Sequence, residues 1–207
     1  MPCQPVDAWL SDLASGAPTP GGGGAAALSA ATGAALVSMV CELTVGRPKY
    51  AEHEQRLREI LAEAGGLRAR ALELADADAR AFDTVIAAYR LPRDSEDAKR
   101  ERDSAVQAAL ASAAVVPVHV AEVAARVIGL AGELPGRCNP SVLSDVAVAV
   151  ITARAALDSA AVNVEVNLAS MHDAERRASL AGQLAAHSGA AAAADATASE
   201  VRTRIRG

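Results

Sequence analysis

Four aromatic side chains, Trp9, Tyr50, Phe82 and Tyr89, are all that this 207-residue chain holds. Bases stack on aromatic platforms, so this scarcity argues against single-stranded nucleic acid as a partner. Positive charge is short as well. Twenty Lys and Arg stand against 25 Asp and Glu, a formal net charge of −5, and no segment carries the basic footprint that a phosphate backbone requires. The cysteines, Cys3, Cys41 and Cys138, are odd in number and lack metal-site spacing. They read as reduced thiols of a cytoplasmic protein. His53, His119, His172 and His187 show no HExxH or similar ligand spacing, so no metal is expected. No Ser or Cys sits in a nucleophile elbow. The N-terminus lacks the basic start and apolar core of a signal peptide.

Runs of alternating β-branched residues are missing too, and alanine dominates. The expected fold is therefore all-α, a single domain over residues 1–207. The pattern predicts a short helix over Val6–Ala14 and a loop over Ser15–Gly23. A second helix is expected from Gly24 to Val45, and a third from Tyr50 to Tyr89 with a weak point at Gly65-Gly66. A fourth is expected from Asp94 to Leu134, kinked at Pro117. A fifth starts near Ser141 as N-cap and ends near Ser170. A sixth covers His172–Arg206. Long helices with short connections make an antiparallel bundle. Ala25–Val45 is long enough to raise the membrane question. Its Ala, Ser, Thr and Gly content and Glu42 favour a buried helix, so no membrane is expected. In the second helix Leu36, Val40 and Leu43 form one stripe. Ala26, Ala30, Ala34 and Ser38 form a ridge of small side chains at spacing four, which permits close helix approach. Thin alanine surfaces point to a homodimer that would bury more of them.

Against this plain background a few polar groups stand out. Gly21, Gly22, Gly23 and Gly24 lie at a helix start, where N–H groups lack partners and the macrodipole is positive. They allow a ligand close to the backbone. No strand or GK[ST] accompanies them, so neither a Walker A loop nor a dinucleotide fingerprint fits; a flexible loop or a tight helix crossing is the plainer alternative. Asp145, Thr152, Asn163 and Asn167 share one helix face. Asp145 and Asn163 are five whole turns apart, roughly 27 Å, too far to touch one small reacting centre. They hold either two ends of a long ligand or different jobs, and interhelix hydrogen bonds could also explain the two Asn residues. Asp78 lies four residues before Phe82 on one helix face, a candidate buried acid with a raised pKa. Asp76 and Asp83 have Arg80 nearby and read as surface charges. Arg47 and Lys49 follow a helix end, a natural anchor for a carboxylate; two solvated cations would look the same.

Six segments, "PTPGGGGAAA", "SMVCELTVGRPKY", "DADARAF", "AAYRLP", "NPSVLSDVAVA" and "NVEVNL", come in the order and spacing of the cyclodeaminase/cyclohydrolase family. The resemblance covers about Val6 to Leu168. It implies an all-α homodimer, a tetrahydrofolate substrate and no metal or further cofactor. Two places depart from the family's pattern. Gly24 stands where a Ser usually follows three glycines, and Cys138-Asn139-Pro140-Ser141 replaces a Gly-Asn-x-Asn loop. The resemblance implies chemistry at the carbon bridging N5 and N10. The leading expectation is hydrolysis of 5,10-methenyltetrahydrofolate to 10-formyltetrahydrofolate. Formiminotetrahydrofolate cyclodeamination, a relative with changed chemistry and a non-catalytic helical binding protein are the alternatives. The expected catalytic pair is Asp145, as base or counter-charge, and Asp78, as acid. Gly21, Gly22, Gly23, Thr44, Arg47, Lys49, Tyr50, Phe82, Asn139, Asn163 and Asn167 are the expected substrate contacts.

Overall fold

Every regular element among the described residues, 4–207, is helical in this computed structural model. The order is α1 (Val6–Leu13), α2 (Gly22–Glu42), α3 (Glu54–Tyr89), α4 (Glu96–Ala113), α5 (Val115–Gly132), α6 (Leu143–Ala169), α7 (Ala174–Ala185) and α8 (Gly189–Arg206). Short 3₁₀ turns over Pro48–His53 and Pro140–Val142 precede α3 and α6. Cys3 lies outside the described residues.

The expected elements hold with instructive shifts. The predicted fourth helix is two, α4 and α5, separated at Ala114. Pro117 has no N–H for the Ala113 carbonyl and its ring crowds that group, so the break falls upstream of the proline. The predicted sixth helix is also two, α7 and α8, parted at Ala186–Ser188, where His187, Ser188 and Gly189 are poor helix formers. Ser141 is not the cap of α6. The Asn139 carboxamide instead accepts a hydrogen bond from the Ser141 N–H at 3.1 Å and caps the preceding turn, whose first residue is Pro140; α6 begins without a side-chain cap. Nor does Gly65-Gly66 weaken α3, which runs unbroken for 36 residues. Tyr50 belongs to the turn before α3 rather than to the helix.

The core follows from small side chains. Ala26, Ala30, Ala34 and Ser38 are buried along α2 as the ridge pattern requires, whereas Leu43 of the expected stripe is exposed. At Gly33 an added Cβ would lie 3.2 Å from the Ala149 carbonyl oxygen and 3.3 Å from the Ala153 Cβ. That closeness brings α2 and α6 into backbone contact, where dispersion is strongest. α2 packs along α3 on one side and α6 on another, while α6 also meets α5 and α8. Larger residues, Leu57, Ile60, Leu74, Ile128, Leu130 and Leu134, fill the remaining space. Cys41 and Cys138 are buried free thiols, and burial pushes the Cys41 thiol up to about 12.

α2 and α6 run antiparallel, and two contacts fix this. Gly22 at the start of α2 lies beside Asn163 near the end of α6. At the other end the Asn139 N–H donates to the Thr44 hydroxyl at 3.0 Å. The segments Gly22–Glu42, Glu96–Gly132 and Pro140–Ala169 are long and apolar enough to cross a membrane by length and composition, and between 44% and 61% of each apolar window packs inside the protein.

Candidate active site

The glycine run answers to one carboxylate. Gly21 is the extended N-cap of α2, and Gly22, Gly23 and Gly24 form its first turn. None has a positive φ, so backbone freedom is not what they supply. At Gly23 an added Cβ would lie inside van der Waals distance of all three carboxyl heavy atoms of Asp78, 2.7 Å from Oδ2 and closer to the others. Only glycine lets Asp78, from α3, dock against this turn. There its carboxylate accepts a hydrogen bond from the Gly24 N–H. Asp78 thus caps α2 from a neighbouring helix, using one of the four donors that a helix start leaves unpaired. Burial raises the Asp78 pKa above its ordinary value, partly offset by that N–H.

Asp78 opens onto a cavity of about 400 Å³ lined also by Thr19, Gly21, Gly22, Gly23, Phe82, Asn163 and Asn167. Phe82 is exposed and lies along this cavity rather than in the core. The Asn163 amide donates to the Ser159 carbonyl at 2.8 Å, and the Asn167 amide to the Asn163 carbonyl at 2.9 Å. These bonds stay within α6, so the carboxamides do not join helices. Anchoring each amide nitrogen within α6 leaves its carbonyl oxygen free to accept. Gly22 and Gly23, whose N–H groups have no intrahelical acceptors, line it as well. The arrangement combines a desolvated acid, positioned acceptors and helix-start donors, which suits binding a polar heterocycle and moving a proton. Asp83, by contrast, is exposed.

The structure therefore gathers Gly21, Gly22, Gly23, Asp78, Phe82, Asn163 and Asn167. The other expected residues lie at the opposite end of α2 and α6. Thr44 is buried, donates to the Val40 carbonyl at 2.7 Å and accepts from the Asn139 N–H. Lys49 and Tyr50 line a second cavity, about 570 Å³, with Pro140, Leu143, Thr203 and Arg204. The Lys49 ammonium sits 5.6 Å from the Tyr50 ring centre, a cation–π distance. Arg47 is exposed at the start of the turn before α3. Asp145 is half-buried in the first turn of α6 and borders neither cavity. Sequence reasoning missed Leu110 and Ala113 of α4, which wall the first cavity, and Arg204 of α8 beside the second. Neither has a local signal, because both arrive through helix packing alone. Among the described residues no group of three or more His, Cys, Asp or Glu could hold a metal ion.

Comparison with known proteins agrees with this architecture. A methenyltetrahydrofolate cyclohydrolase of Methylorubrum extorquens is 45% identical over 186 residues, 88% of this chain and 89% of that protein. The formimidoyltransferase-cyclodeaminase of Rattus norvegicus is 34% identical over 166 residues, 80% of this chain but 31% of the relative. A formiminotetrahydrofolate cyclodeaminase from Thermotoga maritima superposes with a TM-score of 0.85 at 26% identity, covering 100% of this chain and 98% of that one. The family profile described as formiminotransferase-cyclodeaminase matches residues 5–186. With that match over most of its length, the chain belongs to the formiminotransferase-cyclodeaminase family.

Proposed function

We propose that this protein hydrolyses 5,10-methenyltetrahydrofolate to 10-formyltetrahydrofolate in the cytoplasm. The observation that carries the reading is Asp78, a desolvated carboxyl held on the first turn of α2 at the wall of a cavity furnished by Asn163 and Asn167. The similarity to a cyclohydrolase along 89% of that protein supports it. Water adds to the methenyl carbon and gives up a proton, forming a tetrahedral carbon between N5 and N10. The C–N5 bond then breaks, N5 gains a proton, and the hydroxyl loses its own to become the formyl oxygen. One proton is released overall. Burial suits Asp78 to donate at N5, because it raises the carboxyl's pKa and so favours the protonated form more than in an ordinary aspartate. Folate and water suffice as reactants. The carbonyl oxygens of Asn163 and Asn167 accept from the pterin N–H groups. Lys49 and Arg47 offer positive charge for the glutamate carboxylates.

The test follows methenyltetrahydrofolate by its near-UV absorbance. Protein-dependent loss with formation of 10-formyltetrahydrofolate is expected. A second reading, cyclodeamination, is favoured by the superposition on the Thermotoga maritima enzyme. Ammonia release from 5-formiminotetrahydrofolate, with methenyltetrahydrofolate left intact, would decide for it.

A further inference from the structure

We infer that a groove between α3 and α5, apart from the Asp78 cavity, binds a small organic anion whose phosphate or carboxylate group is held by Arg70, His119 and His187. α3 and α5 are joined by a ladder of forked ion pairs. Arg56 of α3 donates to Glu133, the C-cap of α5, from Nε at 2.8 Å and from Nη2 at 2.7 Å. Seven residues further along α3, Glu63 accepts from Nε and Nη2 of Arg126, which lies seven residues before Glu133. Each rung is about two helical turns from the next, and the two helices run antiparallel. A third step of the same size sets Arg70 opposite His119. An arginine there calls for a carboxylate across from it, and the chain supplies an imidazole.

The two arginines otherwise match atom for atom. Arg56 gives its Nη1 to Glu59, three residues along its own helix, at 2.8 Å. Arg70 likewise gives its Nη1 to Glu73 at 3.3 Å. In Arg56 the remaining fork, Nε and Nη2, is filled by Glu133. In Arg70 the same fork has no acceptor among the described residues. Nor do the imidazoles of His119 and His187 have a hydrogen-bond partner among them.

This unfilled rung borders a cavity of about 670 Å³, larger than the 400 Å³ at Asp78 and sharing no residue with it. Leu67 and Val123 give it apolar wall, and His187 reaches it from the turn between α7 and α8. Both histidines are half-buried. An open guanidinium fork takes two oxygens of a carboxylate or phosphate, and each imidazole adds an N–H donor. Glu63 does not compete, because Arg126 holds both of its oxygens. Glu122, exposed and three residues after His119, brings negative charge to the same cavity. It disfavours a bare ion and favours an anion that also carries a hydroxyl or ammonium to donate to it. The volume agrees, since it falls in the range of small-molecule sites.

Calorimetric melting in folate-free buffer tests this apart from the catalytic reading. Glycerol 3-phosphate, malate and sodium chloride are compared at equal ionic strength. At least one organic anion should raise Tm beyond the chloride control, and the one that acts identifies phosphate or carboxylate as the bound group. No rise with either overturns the site. Arg70→Gln should weaken the effective anion by roughly 10- to 150-fold in isothermal titration, the worth of a charge-assisted bond. The Arg70 side chain is 50% exposed, so this variant probes binding rather than folding, and unchanged affinity overturns the assignment. His119→Glu supplies the missing carboxylate. It should fill the Arg70 fork itself and cancel the response to either anion, whereas His119→Gln should only weaken it. Equal responses in wild type and His119→Glu overturn the third rung. In proton NMR the imidazole signals of His119 and His187 should move as the anion is added, while those of His53 and His172 stay. A His119 signal that does not move overturns the location.

Discussion

Replacing Gly23 by Ala tests the heart of the site with one methyl group. The new Cβ would fall within bonding-like distance of the Asp78 carboxyl, 2.7 Å from its Oδ2. Both are held by helix backbones, so the carboxyl must swing away from the first turn of α2. Two effects oppose each other in stability. Ala in place of Gly in a helix gains up to about 1 kcal/mol. Losing the charge-assisted bond from the Gly24 N–H costs roughly 1.5–3 kcal/mol. The net is a loss of about 0.5–2 kcal/mol, or roughly 1–8 °C in Tm for a chain of this size. Activity should fall further than stability, because displacing a catalytic group by about 1 Å costs on the order of 10²-fold. Gly65→Ala is the control. Its Cβ meets nothing within 4 Å and it lies in α3 away from the cavity, so kcat should stay near the wild-type value. The assay is kcat on methenyltetrahydrofolate alongside thermal unfolding by circular dichroism. Wild-type kcat in Gly23→Ala, or an equal loss in Gly65→Ala, would refute the docking argument.

Asp78→Asn should gain stability while losing activity. Asp78 holds its proton more tightly folded than unfolded, so its contribution to stability declines as pH rises from the ordinary value of 3.8 through the raised one. The Tm advantage of the Asn variant over wild type should therefore grow with pH across that window and vanish below it; a constant difference would contradict the assignment. The kcat of the wild type should in turn fall as pH rises through the Asp78 value. The opposite sign applies to Glu133, whose two oxygens accept from Arg56 Nε at 2.8 Å and Nη2 at 2.7 Å. Arg56 holds that carboxyl below its ordinary value of 4.5. Glu133→Gln should lower Tm at neutral pH, and the gap should close as pH falls through the lowered value, as read by scanning calorimetry. Lys49→Ala should raise KM more for polyglutamylated than for monoglutamylated folate; equal increases would remove Lys49 from tail binding.

Much of this was legible in the residues, for reasons that differ from place to place. Helix extents followed from composition and from punctuation by proline. The α4–α5 break was misplaced because a proline disturbs the residues before it as well as itself. Asp78 could be singled out because Phe82 stands one turn away, and Asn163 because five turns return it to the Asp145 face. The purpose of the glycines was not legible. It depends on a side chain fifty-five positions further along the chain, and no local rule connects the two. Thr44 and Asn139 were expected as ligand contacts only through the family resemblance. In the fold they hydrogen-bond to each other across the junction of α2 and α6, a pairing visible only once both helices are placed.

The alanine ridge of α2 has a consequence for how this protein tolerates change. Most cores are damaged by truncation, since large side chains leave holes when trimmed. Here Ala27, Ala30, Ala34, Ala153, Ala156 and Ala160 have no exposed surface and almost nothing to trim. The vulnerable direction is growth. A single added methylene at these positions pushes two backbones apart along their length. The fold is thus specified less by which atoms attract than by which volumes are forbidden, and at these positions its sequence should hardly drift at all toward larger residues.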